Sequence, residues 1–181
     1  MNRKKLILSL GALLLVLAAH MNIGWQVSLN GSRLDGCFSS DCIRRAELTA
    51  RLAAEEILPG KALLPRLERR LQLSLKAPSE DVACLSHAML MNTPGLCLND
   101  FVTVNGVNIG CVEDGEILMD ELRSFVINQM PNAAVSGSFS GEISLDPRYT
   151  RTGRSTSYDD MVLLVSGMAP VMYVDAEGRL A

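Results

Sequence analysis

Hydrophobic and polar positions along the chain fall into two kinds of pattern. The first is a continuous apolar run from Leu6 to Ala19, interrupted only by Ser9 and Gly11 and preceded by Arg3, Lys4 and Lys5. A basic flank followed by an apolar stretch at the extreme N-terminus is an export pattern. The run is shorter than the ~20 residues an isolated bilayer span needs, but Met21, Ile23 and Trp25 extend it, with Trp25 at the interface. The expectation is a signal anchor over residues 1–25, single-pass in the cell membrane, with everything after Trp25 extracytoplasmic. A cleaved signal peptide and a secreted product are the alternative, because Leu17-Ala18-Ala19-His20 fits a small-residue cleavage site only loosely.

After Trp25 the pattern alternates between period two and helical spacing, and the same order of elements occurs twice. Val27-Ser28-Leu29-Asn30-Gly31 returns as Val102-Thr103-Val104-Asn105-Gly106, and Gly36-Cys37 returns as Gly110-Cys111. Asn-Gly between two alternating runs is a two-residue hairpin signal, since both central residues of that turn need positive φ. In the second copy Val102, Val104, Val107, Ile109 and Cys111 fall on one face, which makes Cys111 a core residue. The first copy has one more residue before Gly-Cys, so a bulge at Asp35-Gly36 is expected there.

A helix follows in each copy. Ile43, Ala46, Ala50, Ala53 and Ile57 form the first stripe, ended by Pro59-Gly60; Leu118, Leu122, Phe125 and Val126 form the second, capped by Asp114 and ended by Pro131. Half-exposed strands come next, with Leu71, Leu73 and Leu75 alternating with polar residues, and then Phe139, Ile143 and Leu145. Shorter helices are expected over about Ser79 to Met91 and Ser157 to Ser166, the latter with Ser157 and Asp160 at capping-box spacing. Closing strands follow Pro94 and Pro170. The fold class expected is α+β: an N-terminal membrane helix followed by two fused copies of a β-β-α-β-α-β unit, over 26–100 and 101–181. Leu96 to Val104 would close one copy and open the next. Pro147 to Ser157 reads as a polar loop.

Composition narrows the function. The net charge is -3, and 20% of residues are charged, so no basic face implies nucleic acid as a partner. Cys37, Cys42, Cys84, Cys97 and Cys111 contain no pair separated by two residues and make no metal motif; free thiols are the expected state in a chain large enough to fold without disulfides. His20 lies in the N-terminal segment, which leaves His87 without the further ligands a catalytic zinc site takes. Ser136 to Gly141 does not match a nucleophile elbow, no phosphate-loop motif occurs, and Asp159-Asp160, Glu55-Glu56 and Asp120-Glu121 are explained by helix starts and solvated faces. No catalytic residue and no cofactor is expected; the alternative is a hydrolase or transferase with an unrecognised site near His87. The candidate binding residues are Arg148, Arg151 and Arg154, close together among hydroxyl side chains and suited to an anionic polymer. Arg44-Arg45 and Arg69-Arg70 read as polar faces of a helix and a strand.

The strand-Asn-Gly-strand opening, the helix, and the closing Gly-Met-Ala-Pro-Val-Met-Tyr-Val-Asp resemble the paired extracytoplasmic repeats that precede the catalytic domain in clostridial membrane-anchored cell-wall endopeptidases of the lysostaphin-like zinc class. The resemblance runs from Trp25 to Gly178. It does not extend to the histidine and aspartate zinc ligands of those enzymes, so no catalytic residue carries over. What it implies is a bacterial cell-envelope protein that acts as a binding, spacer or assembly module near the cell wall, with the membrane, and peptidoglycan or an envelope protein, as partners.

Overall fold

The computed structural model describes residues 21–180. They form a mixed α/β arrangement of four helices and eight strands, in two compact units that divide between Pro94 and Gly95.

The membrane-helix expectation is corrected at its C-terminal end. Met21 is exposed, and Ile23 and Trp25, expected to complete a span, lie in a β-strand, β1 (Asn22–Leu29). Among the described residues no helix is long and apolar enough to cross a membrane. The structure therefore supports neither a membrane helix in the fold nor a single-pass membrane protein with a signal anchor. The physical reason is local: from Asn22 onward Gln26 and Ser28 alternate with Trp25, Val27 and Leu29, and β1 pairs along its whole length with β3 (Leu67–Ser74), which satisfies its backbone in a sheet. The apolar run from Leu6 to Ala19 lies outside the described residues.

Unit 1 is a three-stranded antiparallel sheet, order β2-β1-β3, where β2 is the short Ser32–Arg33. Helix α1 (Ser40–Ile57) starts at Ser39, whose hydroxyl accepts from Cys42 N at 3.0 Å. It buries Cys42, Ile43, Ala46, Ala50 and Ala54, a row of mostly small side chains at i, i+4 spacing. Helix α2 (Val82–Met91) is capped by Asp81 and contributes Leu85, Met89 and Leu90 to the core. The inner face of the sheet gives Val27 and Leu29, both buried. Further along that face the ribbon is uncovered: Ile23 opposes Leu73 and Trp25 opposes Leu71, and Ile23, Leu71, Leu73 and Leu75 are each more than half exposed. The expected alternation in β3 is present, but its leucine row faces solvent.

Unit 2 repeats the order with additions. β4 (Leu96–Val104) sits between β5 (Val107–Val112) and β7 (Ile143–Arg151), helices α3 (Gly115–Asn128) and α4 (Tyr158–Met168) cover the inner face, and β6 (Ser136–Phe139) with β8 (Val171–Val174) forms a separate two-stranded sheet. The core joins Val102, Val104 and Val112 to Leu118, Leu122, Met161 and Val165. Among the described residues β4 pairs only with β5 and β7, so the strand expected to be shared belongs to unit 2, and the expected boundary at 100/101 falls inside it. Unit 1 is accordingly β-β-α-β-α, without a closing strand of its own.

The two Asn-Gly turns are equivalent in detail. Asn30 and Asn105 have φ of 49° and 51°, followed by Gly31 and Gly106 at 86° and 80°. Each asparagine clamps the residue just before the outer partner strand, β3 or β7: Asn30 Oδ1 accepts from Arg66 N at 3.0 Å, and Asn105 Oδ1 accepts from Glu142 N at 3.1 Å. In return Asn30 N donates to Arg66 O and Asn105 N to Glu142 O. The cysteines correspond as well, since Cys37 O accepts from Ser79 N and Cys111 O from Thr156 N, just ahead of the second helix in each unit.

Register differs from the sequence reading in one respect. The shift falls in the second copy, between the pairs Val102↔Gly110 and Thr103↔Asn108, where Gly110 takes φ of 144°. Such a bulge flips the faces beyond it. Val112, not Cys111, therefore joins the core face, while Cys111 opposes Phe101 on the outer face and is buried there instead, its Sγ 3.7 Å from Asn99 Nδ2.

Candidate functional site

The sequence-selected arginines are not brought together. Arg148 and Arg151 lie in β7 rather than in a loop, paired with Asn99 and Leu96 without a break in register; three residues apart in a regular strand, they point to opposite faces. Pro147, which suggested a loop, is tolerated because β7 is an edge strand. Arg148 is neutralised by Asp146, with Nε and an Nη within 2.8 and 2.5 Å of Oδ2, and its guanidinium lies 5.3 Å from the Phe101 ring centroid. Arg154 follows the strand, exposed, and its carbonyl accepts from the Cys111 thiol. His87 is exposed on α2. Among the described residues no group of histidine, cysteine and carboxylate side chains is placed to hold a metal ion, and all five cysteines are free thiols.

A concave polar surface does form on the outer face of the unit 1 sheet. One hollow of about 450 Å³ is lined by Gln26, Ser28, Arg33, Glu68, Arg70 and Gln72. A second, about 320 Å³, shares Gln26, Arg33 and Gln72 with it and adds Cys37, Ser74, Lys76 and Ser79. The sheet register explains the grouping: Gln26 opposes Arg70, Ser28 opposes both Arg33 and Glu68, and Gly24 opposes Gln72, so all of these share one face. Gly24 is required at its place, because a Cβ there would collide with Cys37 Sγ and meet Pro78 at 3.0 Å.

Gln26 is 7% exposed and forms the floor. Its amide is held at both ends: Nε2 donates to the Leu34 carbonyl, and Oε1 accepts from the Arg33 guanidinium. The opposite wall is less satisfied. Gln72 Oε1 is buried with no hydrogen-bond partner, an arrangement that costs about 1–3 kcal/mol when left unmet. Among the described residues Arg33, Arg70 and Lys76 form no salt bridge, whereas neighbouring Arg69, on the inner face, is held by Glu47 at 2.8 Å. Glu68 is the one carboxylate lining these hollows, and it lies 3.4 Å from Arg66. The groove is thus locally cationic in a chain whose net charge is negative.

Unit 2 carries the same positions in a closed form. Aligned on the Asn-Gly turns, Gln26 corresponds to Phe101, Gly24 to Asn99, Arg70 to Asp146 and Gln72 to Arg148. There the charges cancel internally and the surface is filled. Asn99 is 1% exposed, and its Nδ2 donates to Thr150 Oγ1 at 3.0 Å, while its Oδ1, like Gln72 Oε1 in unit 1, is buried without a hydrogen-bond partner. Unit 2 has instead an apolar groove of about 500 Å³ between α3 and β6, lined by Met119, Leu122, Val126, Ile127, Met130 and Phe139 among others.

Compared with known proteins, the chain matches no family model, no curated protein and no solved structure. The residues of the unit 1 groove were not legible as a site in the sequence. They are scattered between Gln26 and Lys76, and Arg33 and Arg70 come together only through the pairing of β2 and β3 on either side of β1. The signal that could have found them was the second copy itself: at the aligned outer-face positions one copy is cationic and the other self-neutralising.

Proposed function

We propose that the chain is a non-catalytic binding module for an anionic, amide-bearing cell-wall polymer, with peptidoglycan the candidate. The observation that carries the proposal is the difference between two like units. Both fold with the same hairpin, clamp and helix order, so the outer-face side chains of unit 1 are not needed to specify the fold, yet they leave Arg33, Arg70 and Lys76 without carboxylate partners around a hollow. Unpaired cations lining a concave surface suit an anionic ligand. The resemblance to repeats that accompany cell-wall endopeptidases supports the choice of polymer.

The test is to incubate the purified protein with cell-wall sacculi and follow sedimentation and released fragments together. Sedimentation without release is expected, weakening as salt rises and reduced at least tenfold when Arg33, Arg70 and Lys76 are changed together to serine. Release of fragments that is abolished by His87→Ala would overturn the reading and favour a hydrolase.

A further inference from the structure

β3 is an open edge of the unit 1 sheet: among the described residues it pairs with β1 alone. The bonds that are made show which of its backbone groups face outward. Asn30 N donates to Arg66 O, whereas Trp25 bonds Phe38 on the other side of β1 through both its N–H and its C=O. Backbone groups alternate sides along an antiparallel strand, so the even-numbered residues of β1 face β3, and in the register Gln26↔Arg70 and Gly24↔Gln72 the even-numbered residues of β3 face back. Leu67, Arg69, Leu71 and Leu73 therefore turn their N–H and C=O groups to the open edge. The inner face beside that edge is apolar and uncovered, with Leu71, Leu73 and Leu75 each more than half exposed. Unit 2 closes the same edge. Aligned on Arg66 and Glu142, Leu71 corresponds to Pro147, which has no N–H to offer, and Asp146 and Arg148 pair on either side of it. A proline and charges on an edge strand prevent pairing with another chain; unit 1 carries leucine where that block would stand.

We propose that this edge pairs with the same edge of a second copy of the chain, β3 antiparallel to β3 about a two-fold axis at Gln72. An isologous edge has few registers, and charge complementarity decides among them. An axis at Arg69 or Arg70 sets like charges together on the two-fold, and an axis at Leu73 sets Arg70 opposite Lys76. An axis at Leu71 gives no charge an opposite partner. An axis at Gln72 brings Glu68 of each copy level with Lys76 of the other, both exposed, and sets Arg70 opposite Ser74. On the inner face it places Leu71 opposite Leu73 twice, so the outward backbone groups of these two residues meet and the two leucine rows join into one apolar surface. The pairing uses unit 1 alone and does not depend on the ligand reading above.

The experiment measures the mass of the purified full chain by sedimentation equilibrium over about a hundredfold range of concentration. A concentration-dependent dimer is expected, with no larger species, since a two-fold pairing closes on itself. Leu71→Pro copies the unit 2 block and removes only an outward N–H; Leu73→Lys puts a charge on the edge. Each should weaken dimerisation at least about tenfold while the chain stays folded by circular dichroism, and Leu73→Lys carries the test should Leu71→Pro fail to fold. Gln72→Pro, whose N–H faces β1, should instead disrupt unit 1. The register is read by charge reversal: Glu68→Lys and Lys76→Glu should each weaken the dimer by about three- to tenfold, and the two changes in one chain should restore it. A chain that is monomeric throughout would overturn the proposal. So would a dimer indifferent to both edge variants, as association through Leu6 to Ala19 or through the unit 2 groove would give, and so would charge reversals that do not rescue each other.

Discussion

Replacing Asn105 with alanine tests whether the turn clamp is as important to the fold as its duplication implies. Asn105 holds φ of 51° and its Oδ1 accepts from Glu142 N at 3.1 Å. Alanine at a left-handed position costs about 1–2 kcal/mol. The lost hydrogen bond adds about 0.5–1.5 kcal/mol, at the lower end because the site is exposed and water replaces the acceptor. The sum is about 1.5–3 kcal/mol, or a fall of several degrees to about 20 °C in the melting temperature of a domain of this size. Asn105→Gly keeps the backbone accessible and loses the side-chain bond, so it should cost about 1 kcal/mol less than alanine; Asn105→Asp should be nearly neutral. The assay is urea unfolding of the three variants and of the matching series at Asn30, with the slope m unchanged. A glycine variant as unstable as the alanine one would refute the argument from backbone conformation. Different rank orders at Asn30 and Asn105 would refute the equivalence of the two turns.

Three further outcomes follow from the packing and the titration of individual groups. Leu118→Ala empties a fully buried position in the unit 2 core and should cost about 2–5 kcal/mol in urea unfolding, against less than about 0.5 kcal/mol for the exposed Leu163→Ala. Burial, reinforced by the charges of Glu80 and Asp81, raises the Cys42 thiol above its ordinary range; under native conditions an alkylating reagent should modify exposed Cys84 well before Cys42, and equal rates by mass spectrometry would contradict the packing of α1. Backbone N–H groups of Arg179 and Glu177 hold the Asp175 carboxyl below its usual range, so the contribution of this turn is present above the ordinary carboxylate pKa and is lost as pH falls through the depressed one. The amide NMR signals of Glu177 and Arg179 should move together in that acid window and stay still at neutral pH.

Much of the fold was legible because its decisive choices are local. Asn-Gly demands a positive φ pair wherever it occurs, Ser157 and Asp160 announce a helix start, and stripes such as Leu118 and Leu122 need only the helical period. What escaped depends on pairing between distant segments. The bulge that puts Val112 rather than Cys111 in the core depends on Gly110 at φ of 144° against β4. The arginines at 148 and 151 look like one cluster in a row of letters, but strand alternation separates them. Gln26 and Gln72 look like ordinary surface glutamines; only the register that sets Gln72 against Gly24 shows that one amide is satisfied and the other is not.

The duplicated clamp also makes the molecule a two-register scaffold for engineering. Because Asn30 and Asn105 fix the hairpins from the turn side, the charged outer-face positions 33, 70 and 76 in unit 1, and 146 and 148 in unit 2, can be varied without touching the turns, whereas Gly24, Gln26 and Asn99 are held by packing and hydrogen bonds. Placing cations at the unit 2 positions that match Arg33, Arg70 and Lys76, with Gly110 left in place to keep the bulge, would give one chain two cationic surfaces. Their combined avidity would then depend on the spacing of sites along a polymer rather than on any new contact.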